Sequence, residues 1–279
     1  MFVQKFFIMT ITHSNTAFRI CAKSLFDMIV ILVVVGIGAG TLGSMIGIGG
    51  GIIITPALTF LGFQPTQIAS SSLVAVAFSS ASSAAVYSKQ GRIHYRIAFK
   101  ISMLAIIGAI TGAFLSREVS LEFFKISFAI LLVLAGTYFM YKNSVIREKY
   151  KRKSQSIPLH LLFYSGSFIA GLISSLFGIG GGIVFVPTMV IILGMTILNA
   201  SATSQLALLI TSLAGVFTHT LLGHHNYIDA LSLAAGASVG GQIGARISPS
   251  VKESILQKLF SVSLILIAAK LIFDAVYKA

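Results

Sequence analysis

The sequence predicts an all-α integral membrane protein made of two homologous repeats. Each repeat has about four spanning helices plus one re-entrant or half helix, giving eight to ten membrane segments. Three observations carry that prediction. Hydrophobic residues make up 56% of the 279 and charged residues 10%, with a mean hydropathy of +0.95, which is not a soluble composition. Two stretches, Met28 to Ser88 and Ser154 to Ile228, contain no Asp, Glu, Lys or Arg, and both outrun the roughly 20 apolar residues that one spanning helix needs. Finally, Gly47 to Pro56 reads GIGGGIIITP, and 131 positions on Gly178 to Pro187 reads GIGGGIVFVP, with four glycines and the proline in the same places.

Taken in order, residues 1–26 read as a cytoplasmic leader, 27–141 as the first repeat, 142–157 as a basic cytoplasmic linker and 158–279 as the second repeat. Segments with the length and polarity of spanning helices run roughly over 28–46, 66–88, 97–115 and 121–141, then over 158–177, 198–222, 230–247 and 255–273. The pieces Ile52 to Gly62 and Ile183 to Gly194 reach only ~16–18 Å as helix, too short to cross. If they turn back, the amino-terminal end and the basic groups at Lys89, Arg92, Arg96, Lys100 and at Lys142 to Lys153 all fall on the cytoplasmic side. If each piece crosses, they fall on opposite sides. Eight full spans are the favoured count, with ten segments as the alternative.

The formal charge of +13 therefore belongs to loops of a membrane protein, and nucleic acid is set aside as a partner in favour of the lipid bilayer. Tryptophan is absent, so an interfacial aromatic belt falls to tyrosines near segment ends, among them Tyr87, Tyr95 and Tyr164. Small residues four apart, Gly36 with Gly40, Ser167 with Gly171, Gly108 with Gly112 and Gly240 with Gly244, mark helix faces that admit a neighbouring backbone. Cys21, the lone cysteine, excludes an intramolecular disulfide and a cysteine metal cluster.

The glycine clusters are where chemistry is expected. Each glycine costs a helix roughly 1 kcal/mol relative to alanine and proline cannot donate to the ladder, so a helix arriving there should break. Broken backbone is tolerated at membrane depth only inside protein or beside a watery cavity, and paired breaks at matching positions point to a transport site. The candidate residues for a small anionic substrate are Gly47, Gly49, Gly50, Gly51, Pro56, Ser70, Ser71 and Ser72 in the first half. In the second they are Gly178, Gly180, Gly181, Gly182, Pro187, Ser201, Thr203, Ser204 and Gln205. Hydroxyls beside exposed amides at the positive end of a half-helix dipole make an anion site without formal charge. The plainer role of such hydroxyls is to cap helix starts.

His219, with His224 and His225 near it, is the candidate proton relay. No predicted span carries an acidic residue near its centre, so coupling through an intramembrane carboxylate is not expected. No cofactor or metal is implied: GAGTLG at Gly38 to Gly43 fits G-x-G-x-x-G but lacks the strand and acidic partner of a dinucleotide site. An intramembrane hydrolase using Ser201 or Ser204 with His219 would want a catalytic acid and a G-x-S-x-G turn, and neither is present. A membrane scaffold without transport leaves the paired breaks unexplained.

The doubled G-x-G-G-G-x-x-x-x-P, each copy followed by an Ala-Ser-rich helix, resembles the sulfite exporter TauE/SafE family of membrane permeases from about Gly36 to the last helix. The resemblance implies a multi-pass permease or exporter of the cell membrane, not an enzyme, for small anions such as sulfite, sulfonates or organic carboxylates. One departure from internal symmetry is Ser174, which stands where the first copy has Gly43.

Overall fold

A computed structural model describes residues 26–149, 157–224, 227–251, 261, 264–265 and 267–273, and among these the chain is helical, without strands. Helix α1 is Phe26–Ile46. It is followed by α2 (Gly51–Phe60), α3 (Pro65–Lys89), α4 (Tyr95–Leu115), α5 (Leu121–Lys149), α6 (Ile157–Phe177), α7 (Gly182–Ile192), α8 (Ile197–Leu221) and α9 (Tyr227–Ile247). Residues 267–273 are helical again. The leader, most of the basic linker and much of the expected segment 255–273 lie outside the described residues.

Four of these helices are long and apolar enough to cross a membrane: α1, α3, α8, and α4 with the 3-10 turn that extends it to Glu118. Helices α5, α6 and α9, of 29, 21 and 21 residues, stand where further spans were expected. The short pieces are helices α2 and α7, of 10 and 11 residues, or ~15–17 Å at 1.5 Å per residue. Breakage is confined to the glycines. Pro56 and Pro187 lie inside α2 and α7 and do not end them.

Helix starts are set by residues other than the serine runs. Helix α3 opens on Pro65 behind a capping box made by Gln64 and Gln67, and α8 is capped by the Thr196 side chain, which accepts from the Asn199 N–H. Ser70 to Ser72 and Ser201 to Ser204 therefore sit a turn or more inside their helices and cannot act as caps.

The small-residue faces bring helices into backbone contact. Gly36 and Gly40 of α1 meet Leu233 and Ala237 of α9, while Gly236, Gly240 and Gly244 meet Val33, Ile37 and Thr41. In the same manner Gly171 of α6 meets Ala105 of α4, and Gly108 and Gly112 meet Phe168 and Leu172. At each glycine an added Cβ would overlap the opposing backbone. Helix α3 lies between α8 and α9, and α4 between α6 and α8.

Ascending pairs show that α1 runs with α9, and α4 with α6. Three bonds gather the ends of α1, α3 and α9: Tyr87 Oη donates to Ser44 O (2.9 Å), Gln90 Nε2 to Ala245 O (3.2 Å) and Ser248 Oγ to Met45 O (3.4 Å). This is the tyrosine end of the bundle. At the other, histidine end, Ser70 Oγ donates to His224 O (2.9 Å), Arg117 Nη2 to Leu222 O (3.4 Å), and His219 Nε2 lies 3.0 Å from Ser175 O. Those contacts unite the start of α3 with the ends of α4, α6 and α8.

Helix α1 thus starts at the histidine end, opposite the connection that carries Lys89, Arg92 and Arg96. Eight spans with short pieces that never cross would have put both on one side. The difference arises because α2 leads back the way α1 came, so that α3 starts from the end where α1 starts. Tyr87 is also no belt residue, being fully buried on Ser44.

Gly40→Ala or Gly171→Ala should destabilise the protein by about 1–3 kcal/mol, the usual cost of overpacking. Gly38→Ala, where an added Cβ meets nothing within 4 Å, should be neutral or stabilising. Thermal loss of helical circular dichroism in detergent distinguishes the three.

Candidate functional site

The two glycine breaks, one in each half of the chain, are packed on one another. An added Cβ at Gly51 would overlap the backbone of Gly178 and Ile179, and one at Gly182 would meet Ile48 Cα at 2.5 Å and Gly47 O at 2.6 Å. Gly47 lies equally close on Ser201, and Gly178 on Ala69 and Ser72. All residues from Gly47 to Gly51 and from Gly178 to Gly182 are buried. Close approach therefore demands glycine here, and so does conformation: Gly49 and Gly180 have φ of 76° and 86°.

Carbonyls freed at the ends of α1 and α6 find their donors in helices from the other half. Ser204 Oγ of α8 donates to Gly47 O (2.6 Å) and Ser201 Oγ to Ile46 O (2.7 Å). Ser72 Oγ of α3 donates to Gly178 O (2.7 Å), and Thr55 Oγ1 of α2 to Phe177 O (2.8 Å). Gln205 Nε2 donates to Gly43 O (3.2 Å) while its Oε1 accepts from Ser83 Oγ (3.0 Å). Thr203 Oγ1 accepts from the His94 N–H (3.1 Å), away from the breaks. Three of the six nominated hydroxyls, Ser72, Ser201 and Ser204, thus brace broken backbone in place of water.

The same bond is made twice, by Ser72 to Gly178 and by Ser204 to Gly47. These serines are 132 positions apart whereas the glycines are 131 apart, because α7 has one residue more than α2. An ungapped comparison pairs Ser72 with Thr203 and so misses the correspondence.

Some amides of the first break are also committed: the N–H groups of Gly47, Ile48 and Gly49 all point to Gly43 O, at 3.0, 3.0 and 3.2 Å. An added Cβ at Gly43 would overlap Gly49, so the first copy needs glycine where the second carries Ser174. In the second break Gly178 N–H takes Ser174 O at 2.9 Å.

The first turns of α2 and α7 are different. Gly50 and Gly181 stand at their N-caps without a side-chain cap, and neither first turn holds an acidic residue. The amides of Gly51, Ile52, Gly182 and Ile183 have no intrahelical acceptor, as at any helix start. Two helix N-termini, each equivalent to about half a positive charge, are thereby buried together. Gly50 is right-handed (φ −71°) and Gly181 left-handed (φ 81°), so the two starts are not superposable.

Buried hydroxyls of Ser71, Ser79, Ser80, Ser174 and Ser175 make no hydrogen bond. Ser71 alone among them was nominated from the sequence. Val76 of α3 and Leu208 of α8 were not foreseen, yet both side chains press on both Gly49 and Gly180. Their signal in the sequence is only that of apolar residues one or more turns beyond the serine runs. Pro56 and Pro187 lie farther along α2 and α7, outside this contact. His219 is buried at the histidine end, with Nδ1 2.9 Å from His224 Nδ1. His225 is outside the described residues. Among the described residues no group of three or more His, Cys, Asp or Glu could hold a metal ion.

Comparison with known proteins finds membrane transporters. The "Probable membrane transporter protein YunE" of Bacillus subtilis is 32% identical over 269 residues, 89% of this chain and 98% of its own. A probable membrane transporter protein of Methanocaldococcus jannaschii is 28% identical over 256 residues, 83% of this chain and 92% of its own. YfcA of Escherichia coli, also described as a probable membrane transporter protein, is 24% identical over 247 residues, covering 88% and 90%. No solved structure matches the chain with significance. Residues 32–271 match the family described as "Sulfite exporter TauE/SafE", and with nearly the whole described helical body inside that match, the chain belongs to this family of membrane transporters.

Proposed function

We propose that the protein carries small anions, such as sulfite, sulfonates or organic carboxylates, across the cell membrane and holds them at the paired glycine breaks. The observation that carries this reading is the burial, side by side, of two uncapped helix N-termini with no acidic residue in either first turn. An oxyanion accepts hydrogen bonds from first-turn amides and is favoured by both dipoles. Ser71, with a buried hydroxyl that makes no bond, supplies a neutral donor. Ser72, Ser201, Ser204 and Gln205 serve the site by holding its frame, and Val76 with Leu208 is the apolar lid that must move for the anion to reach the amides.

The architecture that fits this activity is a pair of inverted repeats, each of four spanning helices and one half helix. Supporting it are the twofold Ser-to-Gly bond, the matching α1–α9 and α6–α4 contacts, and the opposite directions of α3 and α8. With the basic loops cytoplasmic, the tyrosine end faces the cytoplasm and the start of α1 faces out. In a Cys21→Ala background, cysteines at Asp27 and Ser120 should react with an impermeant thiol reagent in intact cells, and one at Arg96 should be shielded. Reaction at Arg96 with protection at Asp27 would reverse the orientation, and equal reaction of Asp27 and Arg96 would refute opposite sides.

The site is tested by uptake of radiolabelled sulfite into vesicles containing the purified protein, with methanesulfonate and acetate as competitors. Ser71→Ala should leave the melting temperature unchanged and raise the half-saturating sulfite concentration about two- to tenfold, the worth of one neutral hydrogen bond. Ser72→Ala or Ser204→Ala, each orphaning a buried carbonyl, should instead lower stability by about 1–3 kcal/mol. If Ser71→Ala transports as the parent does, the anion lies elsewhere.

A further inference from the structure

At the histidine end a single chain of hydrogen bonds runs from solvent to the second glycine break, and chemistry fixes its direction. Arg117, exposed on the 3-10 turn after α4, places Nε 3.4 Å from His224 Nε2. His224 Nδ1 is 2.9 Å from His219 Nδ1, and His219 Nε2 is 3.0 Å from the Ser175 carbonyl. A guanidinium only donates and a carbonyl only accepts. His219 must therefore carry its proton on Nε2 and accept at Nδ1, while His224 carries its proton on Nδ1 and accepts from Arg117. Both rings are neutral in this arrangement.

The pair is tied to the break on two sides. Ser175 lies three residues before Gly178, and Ser70, which donates to His224 O at 2.9 Å, lies two residues before Ser72, the donor to Gly178 O. At the tyrosine end the corresponding carbonyl is Ser44 O, 131 positions earlier, and its donor is Tyr87 Oη, 132 positions before His219. The shift of one is the extra residue in α7. Equivalent carbonyls are thus closed by an imidazole at one end and a phenol at the other. Imidazole changes charge between pH 5 and 8, whereas an ordinary phenol titrates near 10.

We propose that His219 and His224 form a proton-binding latch that opens the histidine end of the transport path, with no counterpart at the tyrosine end. This deepens the transport reading and rests on it. Two protons enter from solution. The first binds His224 Nε2, and Arg117, facing a new cation, withdraws. The second binds His219 Nδ1, where it meets the proton already on His224 Nδ1, so the ring-to-ring bond is lost. No bond other than N–H forms or breaks. Neutral rings hold the latch at high pH; as pH falls the segment carrying His224 parts from His219 and Arg117 and uncovers Ser175, while His219 Nε2–H keeps its bond to the Ser175 carbonyl. Among the described residues the groups facing the pair include Arg117 from the 3-10 turn, the Ser175 carbonyl from α6 and, on the His224 backbone carbonyl, the Ser70 hydroxyl from α3. Glu118, Glu122, Lys125, Asp229 and Lys270 lie toward the same end of the bundle.

The latch is tested without reference to substrate. In purified full-length Cys21→Ala protein in detergent, Ser175→Cys replaces a buried hydroxyl that makes no hydrogen bond. Its reaction rate with a water-soluble maleimide is followed from pH 8 to pH 5 and normalised at each pH to the unfolded protein. The normalised rate should rise about tenfold or more through the imidazole range. Adding His219→Tyr, which installs the tyrosine-end donor, or His224→Gln should flatten the profile. Ser44→Cys, the corresponding position, should give a flat profile in the otherwise unaltered protein. A flat profile at Ser175, a profile that survives both histidine substitutions, or an equal rise at Ser44 would each overturn the latch. Anion uptake plays no part in these readouts, so failure of the latch and failure of the transport site are separable.

Discussion

Everything in this fold answers one constraint: two helices end inside an apolar layer, and their last carbonyls need donors that neither water nor lipid supplies. A buried carbonyl left without a partner costs about 1–3 kcal/mol, and more in hydrocarbon. Serine at the right helical position is a compact answer, since one hydroxyl satisfies the carbonyl while the short side chain lets the helices approach. The donors are mostly exchanged: α8 serves the end of α1, and α3 serves the end of α6. Neither glycine break is complete without helices from the other half of the chain. Close helix pairs across the halves, α1 on α9 and α6 on α4, follow from the same need, because they bring each break within reach of its donors.

The sequence makes some of this legible and hides the rest for physical reasons. Apolar length and the absence of charge reveal where helices lie, and the glycines reveal where they break, because both are local properties. Direction after a break is not local. Length shows that α2 is too short to span by itself, yet it leads back to the end where α1 starts, which no local property of the sequence announces. The serine runs look like caps until Pro65 and Thr196 are seen to start the helices, after which the same hydroxyls lie at the depth of the breaks. Tyr87 looks like a headgroup anchor near a segment end, and only the Ser44 carbonyl shows why it is buried. A single extra residue in α7 conceals the match of Ser72 with Ser204, since a helix carries a one-residue insertion forward as a rotation of about 100°.

On the transport reading, the absence of a basic side chain from the neighbours of the break glycines, among the described residues, has a function of its own. A buried Lys or Arg would hold an anion through a charge-assisted bond and would itself need a partner whenever the site stood empty. Amides at a helix start are permanent dipoles that carry no net charge to strand. They favour an anion by a few tenths to about 2 kcal/mol per helix end, which suits capture and release better than retention. Two such ends facing one another double the attraction without a titratable group of the protein's own. Proton dependence then enters through the anion's own protonation or from protein groups outside the breaks.

That separation gives meaning to the places where the two halves differ. Perfectly equivalent halves would give two ends of equal energy, with no preference for opening toward either face. Gly43 against Ser174 and Gly50 against Gly181 alter the backbone of the breaks themselves, through three amides gathered on one carbonyl and through opposite signs of φ. Tyr87 against His219 instead alters a closure three residues away, leaving the glycines untouched. A difference at that distance biases which end opens without changing what the breaks bind. On the latch proposal, a pseudo-symmetric backbone supplies two openings, and unlike donors on equivalent carbonyls let one of them respond to protons.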